Sequence, residues 1–188
     1  MLPLLDTPLA AVAARSSATI NGSRRTAVFV NGLEPFVAAL PIVQALETPG
    51  SATQRVAILA SMFNDNVVYR EAEDTLVITA QGGFLRTSPD QLFRSASVPF
   101  KMGERIERTD FTAEVRTLTP DGRPEQVAFH FHRPLESPEY QWLAWSEQGV
   151  DEFRLPPMRS QVDLPRVGIL PLARALGAAR AKQGVLRQ

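Results

Sequence analysis

The chain of 188 residues lacks cysteine, which excludes a disulfide framework, a zinc ribbon and a thiol nucleophile. It also lacks an excess of one charge, because 20 Lys and Arg residues balance 20 Asp and Glu residues. Since neutralising nucleic-acid phosphates requires a basic excess, this balance argues against a nucleic-acid partner. With 44% apolar residues, the chain has enough hydrophobic side chains for the core of a globular domain.

Long hydrophobic runs are missing as well. The longest stretch without a polar residue covers nine positions, 35–43. A helix that spans a membrane needs about 20. Residues 1–14 are largely apolar, but Asp6 and two prolines interrupt them and no basic residue precedes them, which is not the pattern of a secretory leader. The sequence predicts a soluble or peripherally membrane-bound protein without a transmembrane helix or a signal peptide, and it leaves the compartment open.

Helical patterns occur in the first third of the chain. Residues 35–47 place apolar side chains at helical spacing, with Pro41 interrupting the pattern. A capping box of Ser51 and Gln54 then precedes an apolar stripe made of Val56, Leu59, Ala60 and Phe63. Residues up to about Asn31 show no sustained period and are expected to be irregular. We therefore predict one or two short helices and an extended N-terminal arm at residues 1–49.

The middle of the chain alternates apolar and polar residues as β-strands do. Residues 67–70 and 75–80 flank a polar turn and predict a hairpin. Residues 111–118 and 127–132 flank Thr119-Pro120-Asp121-Gly122-Arg123, a sequence typical of a tight hairpin loop. Strand candidates follow at 140–145 and 150–155. The prediction is a mainly β (α+β) fold, with an antiparallel β-sandwich or partly open β-barrel over residues 50–157.

After residue 157 the chain becomes rich in proline and arginine. Residues 153–188 hold seven basic side chains against one acidic, a net charge of +6, while the rest of the chain carries −6. We expect residues 158–188 to form a basic C-terminal arm with a short helix at 172–182. Arginine outnumbers lysine 18 to 2, and guanidinium groups pair bidentately with carboxylates and phosphates.

This charge layout favours a non-catalytic interaction or structural subunit, held in a larger assembly through its terminal arms. The candidate partners are other protein subunits and an anionic membrane surface. An arm that binds its own acidic domain is the alternative. Three clustered aromatic residues are a second candidate contact, or else core residues. The predicted partner-binding residues are Arg154, Arg159, Arg166, Arg174, Arg180, Lys182, Arg187, Tyr140, Trp142 and Trp145.

A metal site is the chief alternative. His130 and His132 lie two apart on one predicted strand and so leave the same face, and Glu136 follows four residues later. This His-x-His-x-x-x-Glu spacing resembles the first half of the cupin metal motif, which implies a divalent cation and a small β-barrel enzyme. The chain departs from that motif at Pro124, where cupins usually have glycine, and it has no third histidine. Otherwise these residues belong to the solvent side of a strand, and no cofactor is predicted.

Other chemistry has less support in the sequence. The glycine-containing turn at residues 81–84 lacks the Lys and Ser or Thr of a phosphate-binding loop, so the sequence predicts no nucleotide site. No serine occupies the Gly-x-Ser-x-Gly elbow of a serine hydrolase. A third functional possibility is a lipid or small-molecule carrier, which requires a sizeable apolar cavity inside the β domain.

Overall fold

The computed structural model describes residues 26–32, 55–86 and 98–168, and in these ranges the chain forms strands and no helix. These ranges therefore contain no candidate for a membrane-spanning helix. In chain order the strands are β1 Thr26–Gly32, β2 Val56–Ser61, β3 Asn66–Arg70, β4 Thr75–Ala80, β5 Arg105–Glu107, β6 Phe111–Leu118, β7 Pro124–Phe131, β8 Tyr140–Ser146, β9 Gly149–Glu152 and β10 Gln161–Leu164.

Six of these strands form an antiparallel sheet in the order β10-β3-β4-β7-β6-β5. The two predicted hairpins, β3–β4 and β6–β7, are confirmed and make up its centre. Leu76 of β4 pairs with Phe129 of β7 and faces the core, whereas the next pair, Thr75 with His130, faces the other way. The alternation in the sequence therefore matches one face of large apolar side chains on the core and one more polar outer face, on which Val77 and Ala128 are also buried.

The loop between β6 and β7 closes as its sequence predicts. The backbone N–H of Thr119 donates to the carbonyl of Arg123 at 2.8 Å, and the N–H of Arg123 donates to the Thr119 hydroxyl at 3.0 Å. Gly122 has a φ of 83°, a conformation that disfavours residues with a side chain. The turn residues thus fix the register of the hairpin.

The other four strands form a mixed sheet in the order β2-β1-β8-β9. β1 pairs in parallel with both β2 and β8, while β8 and β9 are antiparallel. The expectation of purely antiparallel pairing is wrong for this sheet. Its parallel pairs join strands that are distant in sequence. Such strands are not connected by a short turn, so the sequence contains no local turn signal that predicts their pairing.

The expectation that residues up to Asn31 are irregular is wrong for β1. Every residue of this strand is buried, and its side chains enter two separate apolar clusters. Val28 and Val30 belong to one cluster, whereas Ala27 and Phe29 belong to the other. A strand covered on both faces has a continuous apolar run with no alternation, and the sequence search for a period of two therefore does not find it.

The helix expected after Ser51 is also wrong where the structure describes it, since residues 56–61 form β2. Ala57 and Leu59 pack toward one cluster, and Val56 and Ile58 pack toward the other. This side-to-side alternation is a strand pattern, and Leu59, Ala60 and Phe63 fit a helical stripe only because nearly every position is apolar. Parallel pairing with β1 decides the conformation over the local preference.

Parts of both predicted arms contribute to the sheets. β1 lies within the predicted N-terminal arm, residues 1–49, and β10 lies within the predicted C-terminal arm, residues 158–188. β10 pairs with β3, and the Val167 N–H then donates to the Met62 carbonyl at 2.8 Å. The helices predicted at 35–47 and 172–182 lie outside the described residues.

The two sheets share one hydrophobic core. Phe131 of β7 contacts Tyr140 and Trp142 of β8, with ring centroids 5.2 and 5.1 Å apart. Phe111 packs on the same ring at 5.3 Å. A second, smaller cluster lies on the far side of the mixed sheet and contains Met62, Leu143, Trp145 and Val167. The mixed sheet is therefore buried on both faces around β1.

Candidate functional site

The predicted basic segment is attached to the β domain by its backbone. The N–H of Arg159 donates to the Arg70 carbonyl at 2.8 Å, the N–H of Arg70 donates to the Ser160 carbonyl at 2.9 Å, and β10 follows at once. Arg154, Arg159 and Arg166 are exposed. Their guanidinium groups form no ion pair or hydrogen bond in the part of the chain that the structure describes. The other four predicted basic residues, Arg174, Arg180, Lys182 and Arg187, lie outside it.

The predicted aromatic contacts are buried. Tyr140 and Trp142 face the shared core and Trp145 faces the second cluster, so the predicted division between two strand faces is confirmed. All three side chains are at most 7% exposed. Trp142 Nε1 donates to the Leu135 carbonyl at 2.7 Å. Burial raises the pKa of the Tyr140 hydroxyl, and the nearby Asp110 carboxylate acts in the same direction. As placed, these residues stabilise the core.

His130 lies on the outer face of the antiparallel sheet. The Thr75 hydroxyl donates to Asp74 Oδ1 at 2.8 Å, so its oxygen is free to accept from His130 Nδ1 at 3.2 Å. With the proton assigned to Nδ1, His130 Nε2 points toward Glu114 Oε2 at 3.4 Å without an aligned hydrogen bond. The imidazole therefore borders the ionic network of this face without a hydrogen bond to Glu114.

The other two predicted metal ligands have separate partners. His132 is exposed, and its Nδ1 donates to the Thr109 carbonyl at 3.2 Å. Glu136 Oε1 lies 2.5 Å from Arg70 Nη2 in an ion pair. In residues 26–32, 55–86 and 98–168, the structure groups no three His, Asp or Glu side chains that could hold a metal ion. The metal hypothesis stays a prediction, with no geometry here to support it.

The outer face carries a chain of ion pairs centred on Glu114. Arg105 Nη2 lies 2.9 Å from Glu114 Oε2, and Arg116 Nε lies 3.3 Å from Glu114 Oε1. Arg116 also reaches Glu71 at 3.4 Å. Burial acts to raise the pKa of the Glu114 carboxyl, but the hydrogen bond from Arg105 and the charge of Arg116 outweigh it. The pKa of Glu114 therefore lies below its ordinary value.

No protein-family model matches the chain. Comparison with curated proteins and with solved structures finds no significant match either. The protein's own residues are therefore the basis for assigning it a function.

Sequence reasoning missed a polar cleft at one end of the antiparallel sheet. Arg86, Arg123 and Arg166 line this cleft together with Asp65, Gly82 and other residues, and its volume is about 330 Å³. We call it the arginine cleft. Its three arginines follow β4, precede β7 and follow β10, so no short motif contains them. The predicted β3–β4 and β6–β7 hairpins do not reveal the cleft either, because residue 86 and residue 123 come together only through the long-range pairing of β4 with β7.

Proposed function

We propose that the protein is a non-catalytic interaction subunit, a two-sheet β-sandwich whose C-terminal segment, which the structure describes over residues 153–168, binds an acidic surface of a partner protein. The observation that carries the proposal is the contrast within that segment. Its backbone is fixed to β3, yet the guanidinium groups of Arg154, Arg159 and Arg166 are exposed and have no acidic partner among the described residues. Basic groups held at a surface and left unpaired are available to an external anionic partner.

Two further features of the segment support this proposal. Met158 directly precedes Arg159 and is 48% exposed, and methionine and arginine are both enriched in protein interfaces. Arg159 has a φ of 59°, which side-chain-bearing residues rarely adopt. The backbone hydrogen bonds of the turn hold Arg159 in this conformation, and such local strain is often found at functional positions.

The alternative in which the segment only neutralises its own domain has less support. That alternative requires ion pairs between these arginines and the acidic residues of residues 1–152. Several other described arginines of the β domain do form such pairs, for example Arg55 with Asp110 at 2.9 Å and Arg133 with Glu139 at 3.1 Å. Arg154, Arg159 and Arg166 form none in the same ranges.

The carrier alternative needs an enclosed apolar chamber. The arginine cleft is polar and open to solvent, so it does not supply one. The cupin-like enzyme has no observation in the described residues that favours it. An anionic membrane surface would attract the same arginines, and the experiment below therefore includes it as a separate outcome.

A matched pair of charge reversals tests the proposal on the full-length protein. Arg154→Glu/Arg159→Glu changes the net charge by four units in the C-terminal segment. Lys101→Glu/Arg108→Glu makes the same change at two exposed basic residues near β5. Each tagged variant is purified from its source cells, and co-purifying proteins are quantified by mass spectrometry. In parallel, binding to vesicles of phosphatidylserine and phosphatidylcholine is measured by sedimentation.

We expect a stoichiometric partner that the wild type and the Lys101/Arg108 control retain and that the Arg154/Arg159 variant loses at least tenfold. Reversal turns attraction to an acidic surface into repulsion, and weakening of wild-type binding by salt would agree with this cause. Equal recovery with both variants, or no stoichiometric partner at all, contradicts the proposal. Loss of vesicle binding alone would identify a membrane surface instead and would also contradict it.

A further inference from the structure

We propose that the arginine cleft binds the phosphate group of a small anionic ligand. This inference goes beyond the interaction proposed above, since it concerns a different set of side chains and a small molecule. Only Arg166 belongs to both, and the charge reversals that test the interaction leave the cleft unchanged.

The three arginines reach the cleft from separate elements of the antiparallel sheet. Arg86 follows β4, Arg123 ends the turn that leads into β7, and Arg166 follows β10. Their convergence depends on the long-range strand pairing and not on a local motif. A volume of about 330 Å³ suits a small phosphorylated molecule, because ligand sites in proteins start at about this size.

Arg123 is held in place before any ligand arrives. Its Nε lies 2.8 Å from Asp121 Oδ2, and its Nη1 donates to the Phe84 carbonyl at 3.2 Å. Gly83 allows this close approach, because a Cβ at that position would lie 3.3 Å from Arg123 Nη1 and 2.7 Å from Thr119 Cγ2. Its φ of 86° also disfavours any side chain. A donor that is already ordered loses little freedom when it binds a ligand.

Arg86 and Arg166 are available to a ligand. Both are exposed, and within the described ranges neither guanidinium has an ion pair or a hydrogen bond. The backbone of Arg166 is nevertheless fixed, since its N–H donates to Asp65 Oδ1 at 2.9 Å. A Cβ added to Gly82 would lie 3.8 Å from Arg86 Nη1. Because Gly82 lines the cleft, the charge of Arg86 lies next to the cleft wall.

Three guanidinium groups around one space match a phosphate better than a carboxylate. A phosphate ester presents three terminal oxygens and carries about −1.5 to −2 charge at neutral pH. A carboxylate has two oxygens and a single charge. Asp65 and Asp121 offset part of the positive charge, so the cleft has only a modest excess of it. In this site the phosphate is bound by arginine side chains, whereas a phosphate-binding loop binds it with backbone N–H groups and a lysine. The absence of a lysine from the glycine-containing turn at 81–84 therefore does not count against this site.

Isothermal titration of the full-length protein with phenyl phosphate, in a low-salt buffer without phosphate, tests the site. We expect saturable binding of one molecule per chain, weakened about tenfold or more by Arg86→Gln and by Arg166→Gln. Arg108→Gln removes the same charge from an exposed position outside the cleft and should leave the affinity within about twofold. Asp65→Asn keeps an oxygen for the Arg166 N–H and removes a negative charge, so it should tighten binding.

The outcomes separate the site from non-specific attraction. Absence of saturable binding overturns the proposal, as does an equal loss with Arg108→Gln and Arg166→Gln. Weaker binding in Asp65→Asn overturns it too, provided that thermal unfolding shows the variant to be folded. Benzoate titrated in the same way provides the carboxylate comparison, and benzoate binding as tight as phenyl phosphate contradicts the choice of phosphate.

Discussion

The two sheets of this protein bury their strands in different ways. The antiparallel sheet has one face on the core and an outer face that combines polar and ionic side chains, such as Thr75, His130 and Glu114, with the apolar pair Val77 and Ala128. The mixed sheet has a central strand, β1, of which every residue is buried. The difference shows that the visible alternation in a sequence comes from solvent on one side of a sheet, and that it disappears where both sides are covered.

Truncation of the side chain that joins the two sheets should have the largest effect. Phe131→Ala removes the ring that contacts Phe111, Tyr140 and Trp142, and we expect a loss of about 3–5 kcal/mol in the free energy of unfolding, measured by urea denaturation. Tyr69→Ala truncates an aromatic side chain on the half-exposed outer face and is the control. If the two losses are equal, the shared core does not dominate stability as the structure indicates.

A smaller loss is expected inside the mixed sheet. Asn31 Nδ2 donates to the Trp145 carbonyl at 3.1 Å, and Asn31 Oδ1 accepts from the Trp145 N–H at 2.8 Å, so this buried amide extends the β1–β8 ladder. Asn31→Ala leaves both backbone groups unpaired and should destabilise the protein by about 1–3 kcal/mol.

The same urea measurement on Thr79→Ala provides the comparison in the antiparallel sheet. Thr79 accepts one half-buried hydrogen bond, from Gln126 Nε2 at 3.0 Å, and its loss should be about 0.5 kcal/mol. A larger effect for Thr79 than for Asn31 would contradict the view that the mixed sheet is the more deeply buried of the two.

The ionic network of the outer face should give the smallest effect, and one that depends on pH. Because the pKa of Glu114 is lowered by folding, its contribution to stability is present above its ordinary pKa of 4.5 and is lost as pH falls through that range. Solvent screens these ion pairs, so we expect Glu114→Gln to lose no more than about 0.5 kcal/mol at pH 7. The variant should unfold with a weaker pH dependence between about pH 5 and about pH 3 than the wild type.

Thermal unfolding across this pH range measures the effect. The pKa of Asp121 is also lowered, because Arg123 donates a hydrogen bond to its carboxylate. Glu114→Gln does not change this carboxylate, so the variant keeps the pH dependence that comes from Asp121. If the stability of the wild type and of Glu114→Gln depends on pH in the same way, the ion pairs of Glu114 do not contribute to stability as proposed.

The sequence was sufficient to predict the hairpins because their turns and their alternation are local. Thr119 to Arg123 specify the tight loop, and the side chains on either side alternate in agreement with the observed faces. β1 and β2 were not predictable in this way. Their conformation depends on a partner strand and on apolar cover from both sides, and the apolar residues of β2 fit a helical stripe as well as a strand.

The candidate binding residues were predictable only in part. The excess of arginine after residue 153 is a compositional fact, and the exposed positions of Arg154, Arg159 and Arg166 agree with it. The arginine cleft could not be predicted, because Arg86, Arg123 and Arg166 become neighbours only after β4, β7 and β10 have joined one sheet. His130 lies on β7, but His132 follows the end of that strand in a bend, and Glu136 pairs with Arg70.

The position of β1 determines when the protein can complete its fold. Asn31 and Trp145 are 114 residues apart, and β1 lies between β2 and β8 in its sheet. During synthesis on a ribosome, this strand must therefore wait for most of the chain to emerge before its second neighbour exists. Contacts of such long sequence separation slow folding, since the entropy of closing the loop is lost before the contact stabilises anything. Until then the unpaired edge of β1 can associate with other chains. We therefore expect chaperones or a low expression temperature to increase the yield of folded protein.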